Sequence, residues 1–149
     1  MKLKDFRLEG TNKTEFQLSK CNSKFLVIYF YPKDATPGCT NESIAFNNHY
    51  SQFKKLGCEI FGISRDTISS HEKFKAKYDF KFELLSDNEE IACSIFDVIK
   101  MKNMYGKQVR GIERSTFVFN AKQEIIKEWR GVKVDGHVEE VLQFIQSIK

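Results

Sequence analysis

The sequence predicts an α/β sandwich in which a mixed β-sheet lies between helices. Three observations carry that expectation. Short apolar runs of strand length alternate with stretches of helical period along most of the chain. One run, Phe25-Leu26-Val27-Ile28-Tyr29-Phe30-Tyr31, is apolar at every position, which suits a central strand covered on both faces. The last third holds two strand-like runs joined by a short turn and then an amphipathic helix, so part of the sheet is antiparallel.

The elements follow in order. Phe6, Leu8, Phe16 and Leu18 alternate on either side of a Gly10–Lys13 turn, which reads as an N-terminal β-hairpin. After the buried strand, Pro32 ends the run and Lys33 to Gly38 is turn chemistry. Ala45, His49, Phe53 and Leu56 then recur at helical spacing, predicting one helix from about Thr40 to Leu56 with Gly57 as its stop. Cys58 to Ser64 is a strand, and Ser69-x-x-Glu72 resembles a capping box that opens a helix carrying Phe74 and Tyr78. Phe82 to Ser86 is another strand, followed by Asp87-x-x-Glu90 as a second capping box before Ile91, Ile95 and Phe96. Residues 100 to 113 are polar, with Gly106 and Gly111, and read as a long loop or an exposed hairpin. Arg114–Phe119 and Glu124–Trp129 pair across Asn120-Ala121-Lys122, and Val138, Val141, Leu142, Ile145 and Ile148 share one face of a final helix.

Composition narrows the function classes. At 149 residues, 41% hydrophobic and 30% charged, with no repeat, low-complexity tract or linker, residues 1–149 read as one domain with a sizeable core. The net charge of +4 comes from dispersed residues that form no basic stripe, so no nucleic-acid partner is expected. The basic start from Met1 lacks the apolar run of roughly 7–15 residues that a secretory signal needs. No stretch approaches the roughly 18 apolar residues of a membrane span, so no membrane partner is expected. The chain is therefore read as cytoplasmic, where thiols stay reduced. Its four cysteines, Cys21, Cys39, Cys58 and Cys93, contain no C-x-x-C pair, and His49, His71 and His137 lack ligand spacing, so no metal and no cofactor are expected. His49 and His71 are assigned to helix surfaces, His137 to the start of the last helix or to the sheet, and Trp129 to the edge of the core.

Cys39 is the residue with chemistry. It follows the carboxyl end of the most buried strand, where α/β sheets place their sites. It also opens a helix, whose positive end and free N–H groups favour thiolate, the nucleophilic form, over thiol. Pro32 fixes the exit from the strand, Thr36 offers a hydroxyl three residues before the sulfur, and Pro37-Gly38 permit a tight backbone approach.

The segment Tyr29-Phe30-Tyr31-Pro32-Lys33-Asp34-Ala35-Thr36-Pro37-Gly38-Cys39-Thr40 closely resembles the active-site segment of the peroxiredoxins, with their P-x-x-x-T-x-x-C pattern. Its T-P-G-C-T form is similar to that of the bacterioferritin comigratory protein, or peroxiredoxin Q, subgroup. Gly62-Ile63-Ser64, Leu85-Ser86-Asp87, Arg114-Ser115-Thr116-Phe117 and Val132 to His137 resemble that subgroup in the same order. The resemblance implies a thioredoxin-like fold and a thiol-dependent peroxidase. It implies that Cys39 attacks a peroxide oxygen to give a sulfenic acid and releases water or an alcohol. It further implies that Thr36 offers its hydroxyl to the peroxide or thiolate, that Arg114 is the cation beside the sulfur, that Pro32 shields it from water, and that Glu42 orients Arg114. Simpler readings stand beside these: Thr36 as a turn-forming hydroxyl, Glu42 as an ordinary first-turn acid, and Arg110 as a rival to Arg114.

Members of the subgroup commonly carry a resolving cysteine five residues after the nucleophile, where this chain has Ile44; a second pattern puts it in the next helix, where Phe74, Lys75 and Ala76 stand. The expectation is thus a one-cysteine peroxidase recycled by thioredoxin, glutaredoxin or glutathione, acting as a monomer or weak dimer. Cys58 is assigned to packing, Cys21 to a polar loop with nothing to activate it, and Cys93 either to the core or to a resolving role. Two alternatives remain: a peroxide sensor or holdase using Cys39, and a disulfide oxidoreductase, which lacks its second thiol here.

Overall fold

The computed structural model describes residues 4–149; Met1–Leu3, the start of the basic opening tested above for a secretory signal, lie outside the described residues. Seven strands form one sheet in the order β2-β1-β5-β4-β3-β8-β9. They are β1 (Arg7–Gly10), β2 (Glu15–Gln17), β3 (Phe25–Phe30), β4 (Cys58–Ser64), β5 (Glu83–Ser86), β8 (Ser115–Phe119) and β9 (Ile125–Arg130). β3, β4 and β5 are parallel neighbours, and every other pairing is antiparallel. The mixed sheet is as the sequence predicts, and all six residues of β3 are buried at its centre.

The helices are α1 (Pro37–Asn48), α2 (Tyr50–Lys55), α3 (Ile68–Tyr78), α4 (Ile91–Phe96) and α5 (His137–Ile148). None is long and apolar enough to cross a membrane among the described residues. The alternation in β3 divides the core in two. Val27 and Tyr29 face a cluster with Cys39, Phe46, Phe74 and Val141, while Leu26, Ile28 and Phe30 face a second with Phe6, Cys93, Phe96 and Phe117.

Three predicted elements differ. The single helix expected over 40–56 begins earlier, at Pro37, and divides at His49, where Asn47, Asn48 and His49 are all weak helix formers. α3 is capped by Thr67, whose Oγ1 accepts from the Ser70 amide at 3.1 Å, rather than by a Ser69–Glu72 box; Glu72 instead accepts from the Asn12 amide. Asp87 does cap α4, accepting from the amides of Ile91 (2.8 Å) and Cys93 (2.7 Å), but Glu90 does not complete a box because Arg65 and Arg110 take its carboxylate. The polar 100–113 segment is the exposed hairpin, β6 (Ile99–Met104) and β7 (Lys107–Ile112), turning at Tyr105-Gly106, both with positive φ.

Gly62 on β4 lets the buried Tyr29 ring lie across the sheet. A Cβ there would stand 2.7 Å from Tyr29 Cζ and 2.9 Å from Leu84 Cδ2. Tyr29 stacks on Phe46 of α1, with ring centroids 4.5 Å apart, and exchanges a 2.8 Å hydrogen bond with Ser43 of the same helix. Gly62→Ala is therefore expected to overpack this face and lower stability by about 1–3 kcal/mol, measured as the shift in urea midpoint at unchanged m-value.

Candidate active site

Geometry begins at the end of β3. The Tyr31 amide still donates to Ile63 O, at 3.1 Å, so the chain leaves the sheet only at Pro32. Ala35 turns it with a φ of 63°, and extended Thr36 precedes Pro37, the first helical residue, where a missing N–H costs nothing. Cys39 is thus in the first turn of α1, over the positive end of the helix, and only 1% exposed.

The opposing charge comes from a distant part of the chain. Ser115 pairs with Phe30, which brings the residue before it, Arg114, to the same end of the sheet as Cys39. The Arg114 guanidinium donates through Nη2 to Cys39 Sγ at 3.4 Å and through Nη1 to Glu42 Oε1 at 2.7 Å. One planar cation therefore bridges the thiol and a buried carboxylate one turn further along α1. Gly38 leaves the room: a Cβ there would stand 3.1 Å from Nη2.

Electrostatics around this bridge are uneven. Glu42 is fully buried, and its Oε2 has no partner. Burial pushes the Glu42 carboxyl up to about 7, against the downward pull of Arg114. Burial also works against the guanidinium's charge, but Glu42 and Cys39 outweigh it and hold Arg114 above its ordinary range. A thiolate beside a fixed cation at a helix start is suited to nucleophilic attack on an electrophilic oxygen.

Comparison with known proteins agrees. Residues 1–128 match the AhpC/TSA family. The chain belongs to that family, the peroxiredoxins. Peroxiredoxin Bcp of Xanthomonas campestris is 49% identical over 96% of this chain and 89% of its own length, and that of Bacillus subtilis 44% over 99% and 94%. Among solved structures, Xanthomonas campestris peroxiredoxin Q superposes with a TM-score of 0.91 at 48% identity, covering 96% of this chain and 90% of that one. Peroxidoxin BcpB of Mycobacterium tuberculosis gives 0.88 at 28% identity, covering 100% and 96%. The peroxiredoxin is accordingly a thiol peroxidase with the thioredoxin-like fold, of the bacterioferritin comigratory protein type.

Within this peroxiredoxin the predicted residues fall as follows. Cys39, Glu42 and Arg114 meet. Arg110, on the exposed hairpin, does not compete, because its guanidinium is held by Glu90 at the start of α4. Pro32 is half-buried at the head of the loop. The Thr36 hydroxyl donates to Lys33 O at 2.8 Å, the turn-forming role, which leaves its lone pairs as acceptors.

The other three thiols are apart from the site. Cys93 is fully buried in the second cluster, across the sheet from Cys39, and burial followed by the Asp87 carboxylate pushes its pKa well above the ordinary thiol value. Cys58 pairs with Phe25, at the far end of β3 from the site, about 16 Å along the strand. Cys21 lies at that same end, its sulfur 3.7 Å from Glu59 Oε2.

Sequence reasoning placed His71 on a surface, and the structure corrects this: it is fully buried, bonded to Asp34 and to Leu85 O. His137 packs on the sheet, Nε2 2.8 Å from Thr116 Oγ1, and burial pushes it down to about 4. Trp129 stands at the edge of the core against His137 and Phe144. Lys102, hidden in a segment read only as polar, donates to Ile112 O; burial and then Arg114 hold its pKa below the ordinary value. The periodicity of a short exposed hairpin gave no signal for it.

Glu42 gives a pH-dependent test. With a folded value near 7 against 4.5 unfolded, the neutral carboxyl favours the fold fully below about pH 4.5, and that contribution is lost as pH rises through about 7. The stability of Glu42→Gln relative to the wild type is expected to rise across that window and level off above it. His137, whose slope has the opposite sign, cancels in the comparison. A difference in urea midpoint that stays constant from pH 4.5 to 8 would contradict the assignment.

Proposed function

We propose that this chain reduces hydrogen peroxide and small organic hydroperoxides through Cys39 alone and is recycled by an external thiol. The observation that carries the reading is the Arg114 bridge, a guanidinium 3.4 Å from a sulfur at a helix start. The Cys39 thiolate attacks one peroxide oxygen; the S–O bond forms as the O–O bond breaks, and the second oxygen leaves as hydroxide or alkoxide, which takes up from solvent the proton the thiol gave up and becomes water or alcohol. Arg114 and the Cys39 amide stabilise the charge that moves onto the departing oxygen. Thr36 accepts the peroxide hydrogen, Pro32 keeps water from the sulfur, and Glu42 fixes the guanidinium. Two external thiols then reduce the sulfenic acid, yielding water, the regenerated thiol and a disulfide.

The substrate class draws support from a relative: a solved structure of the Xanthomonas campestris bacterioferritin comigratory protein, 48% identical, is described in terms of alkyl peroxide reduction activity. The one-cysteine route is supported by Ile44 and by the burial of Cys93 on the opposite face of the sheet. Thioredoxin, glutaredoxin and glutathione are the reductants that fit, in a reducing compartment such as the cytoplasm.

Three outcomes are expected. Arg114→Ala slows peroxide reaction by about 10²-fold and raises the pH at which Cys39 becomes alkylated by iodoacetamide, read by mass spectrometry; an unmoved alkylation profile would assign activation to the helix alone. Cys39→Ser abolishes peroxide turnover with all three reductant systems, which also separates an enzyme from a sensor. One equivalent of peroxide leaves the wild type as a sulfenic acid that excess peroxide carries to sulfinic acid. A Cys39–Cys93 disulfide in that sample would overturn the one-cysteine mechanism.

A further inference from the structure

Below the active-site loop lies a buried polar cluster that the peroxide chemistry does not use. Asp34, in the turn between β3 and α1, is 7% exposed and accepts three hydrogen bonds from side chains. Tyr31 OH donates to its Oδ1 at 2.6 Å, Ser70 Oγ to its Oδ2 at 2.8 Å, and His71 Nδ1 stands 2.7 Å from the same Oδ2. Its own amide donates to Asp66 Oδ2 at 2.9 Å, and Asp66 is held in turn by Ser64 Oγ at 2.5 Å. The turn is thereby fastened to the end of β3, to the loop after β4 and to α3 at once.

The chemistry of the ring fixes how many protons this cluster holds. His71 Nε2 is 2.9 Å from Leu85 O, and a carbonyl only accepts, so Nε2 carries a hydrogen. Nδ1 faces a carboxylate oxygen, so a second proton lies between ring and carboxylate. Whichever of the two holds it, the pair is neutral as a unit, which is what a site with a fully buried imidazole requires. Without that proton, a nitrogen lone pair and a carboxylate would meet with nothing between them. The next residue, Ala35, has a φ of 63°, a conformation that residues with a Cβ adopt only when their surroundings impose it. Thr36 follows, bonded back to Lys33 O across the same turn.

We propose that His71 and Asp34 are positioning residues of the peroxidase site: the proton they share pins the Lys33–Thr36 turn to α3 and β5, and so sets where Thr36 and Cys39 stand. This rests on Cys39 being the nucleophile, but its geometry is independent of that reading. The strut acts from beneath the loop, through Asp34, and touches neither the sulfur nor Arg114 among the described contacts.

The test uses His71→Gln, which keeps a donor for Leu85 O but removes the ring proton from Asp34, and the double variant Asp34→Asn/His71→Gln, which also removes the stranded carboxylate. Two readouts are taken on the reduced protein: the second-order rate with hydrogen peroxide, and amide hydrogen exchange over residues 33–40. His71→Gln is expected to slow the peroxide reaction by about tenfold or more and to speed exchange in that segment. Adding Asp34→Asn is expected to regain part of both losses, because the introduced asparagine amide can donate to the carbonyl oxygen of the introduced glutamine in place of the shared proton and leaves no buried charge unpaired. Wild-type rate and exchange in His71→Gln, or a double variant no better than the single one, would overturn the proposal. If Cys39→Ser leaves peroxide consumption intact, the functional reading fails while the exchange arm still decides on the strut.

Discussion

The Arg114 guanidinium joins two elements 72 residues apart, and the candidate site exists only because it does so. Its two nitrogens reach a sulfur and a carboxylate on one helix, so a single planar cation sets the position of both. The sheet makes this possible. β3 delivers the loop before α1, and β8 pairs antiparallel with it, starting just after Arg114. The missing side chain of Gly38 lets the guanidinium lie against the helix start.

Burying so much charge is costly, and the structure offsets the cost unevenly. Glu42 keeps one oxygen on Arg114 and leaves the other without a partner, and burial weakens its acidity toward neutrality against the pull of Arg114. Beneath the same loop, the Asp34–His71 pair meets burial differently, with every ring nitrogen and both carboxylate oxygens bonded. Ala35, with its positive φ, follows Asp34 directly in the turn between these two sites.

The sheet also decides the fates of the four thiols. Cys39 is on one face and Cys93 on the other, with the fully buried β3 between them. Cys58 shares the face of Cys39 but not its end of the strand. Direct reaction between Cys39 and Cys93 would require movement of packed aromatic residues such as Phe96 and Phe117, whose rings are 4.7 Å apart. An external thiol needs access only to the loop that opens α1.

Local signals in the sequence were strong where backbone chemistry dominates. The apolar run of β3, the turn from Pro32 to Gly38 and the helix start at Cys39 are all written in neighbouring residues, and so the candidate nucleophile was legible. Arg114 and Glu42 were legible only through resemblance, since nothing near Arg114 in sequence says what faces it. Thr67 displaced the expected capping box because several hydroxyls competed for one helix start, and helix period alone does not rank them. His71 was misplaced because its neighbours, Ser70 and Glu72, are polar, while its burial depends on Asp34 and Leu85, brought to it by parallel strands. The sequence by itself thus determined the sheet, the loop and the candidate sulfur, because those follow from periodicity and turn residues. Tertiary structure alone decided which cation meets the sulfur, which thiols are walled off and which histidine is buried, because those depend on pairings between strands far apart in the chain.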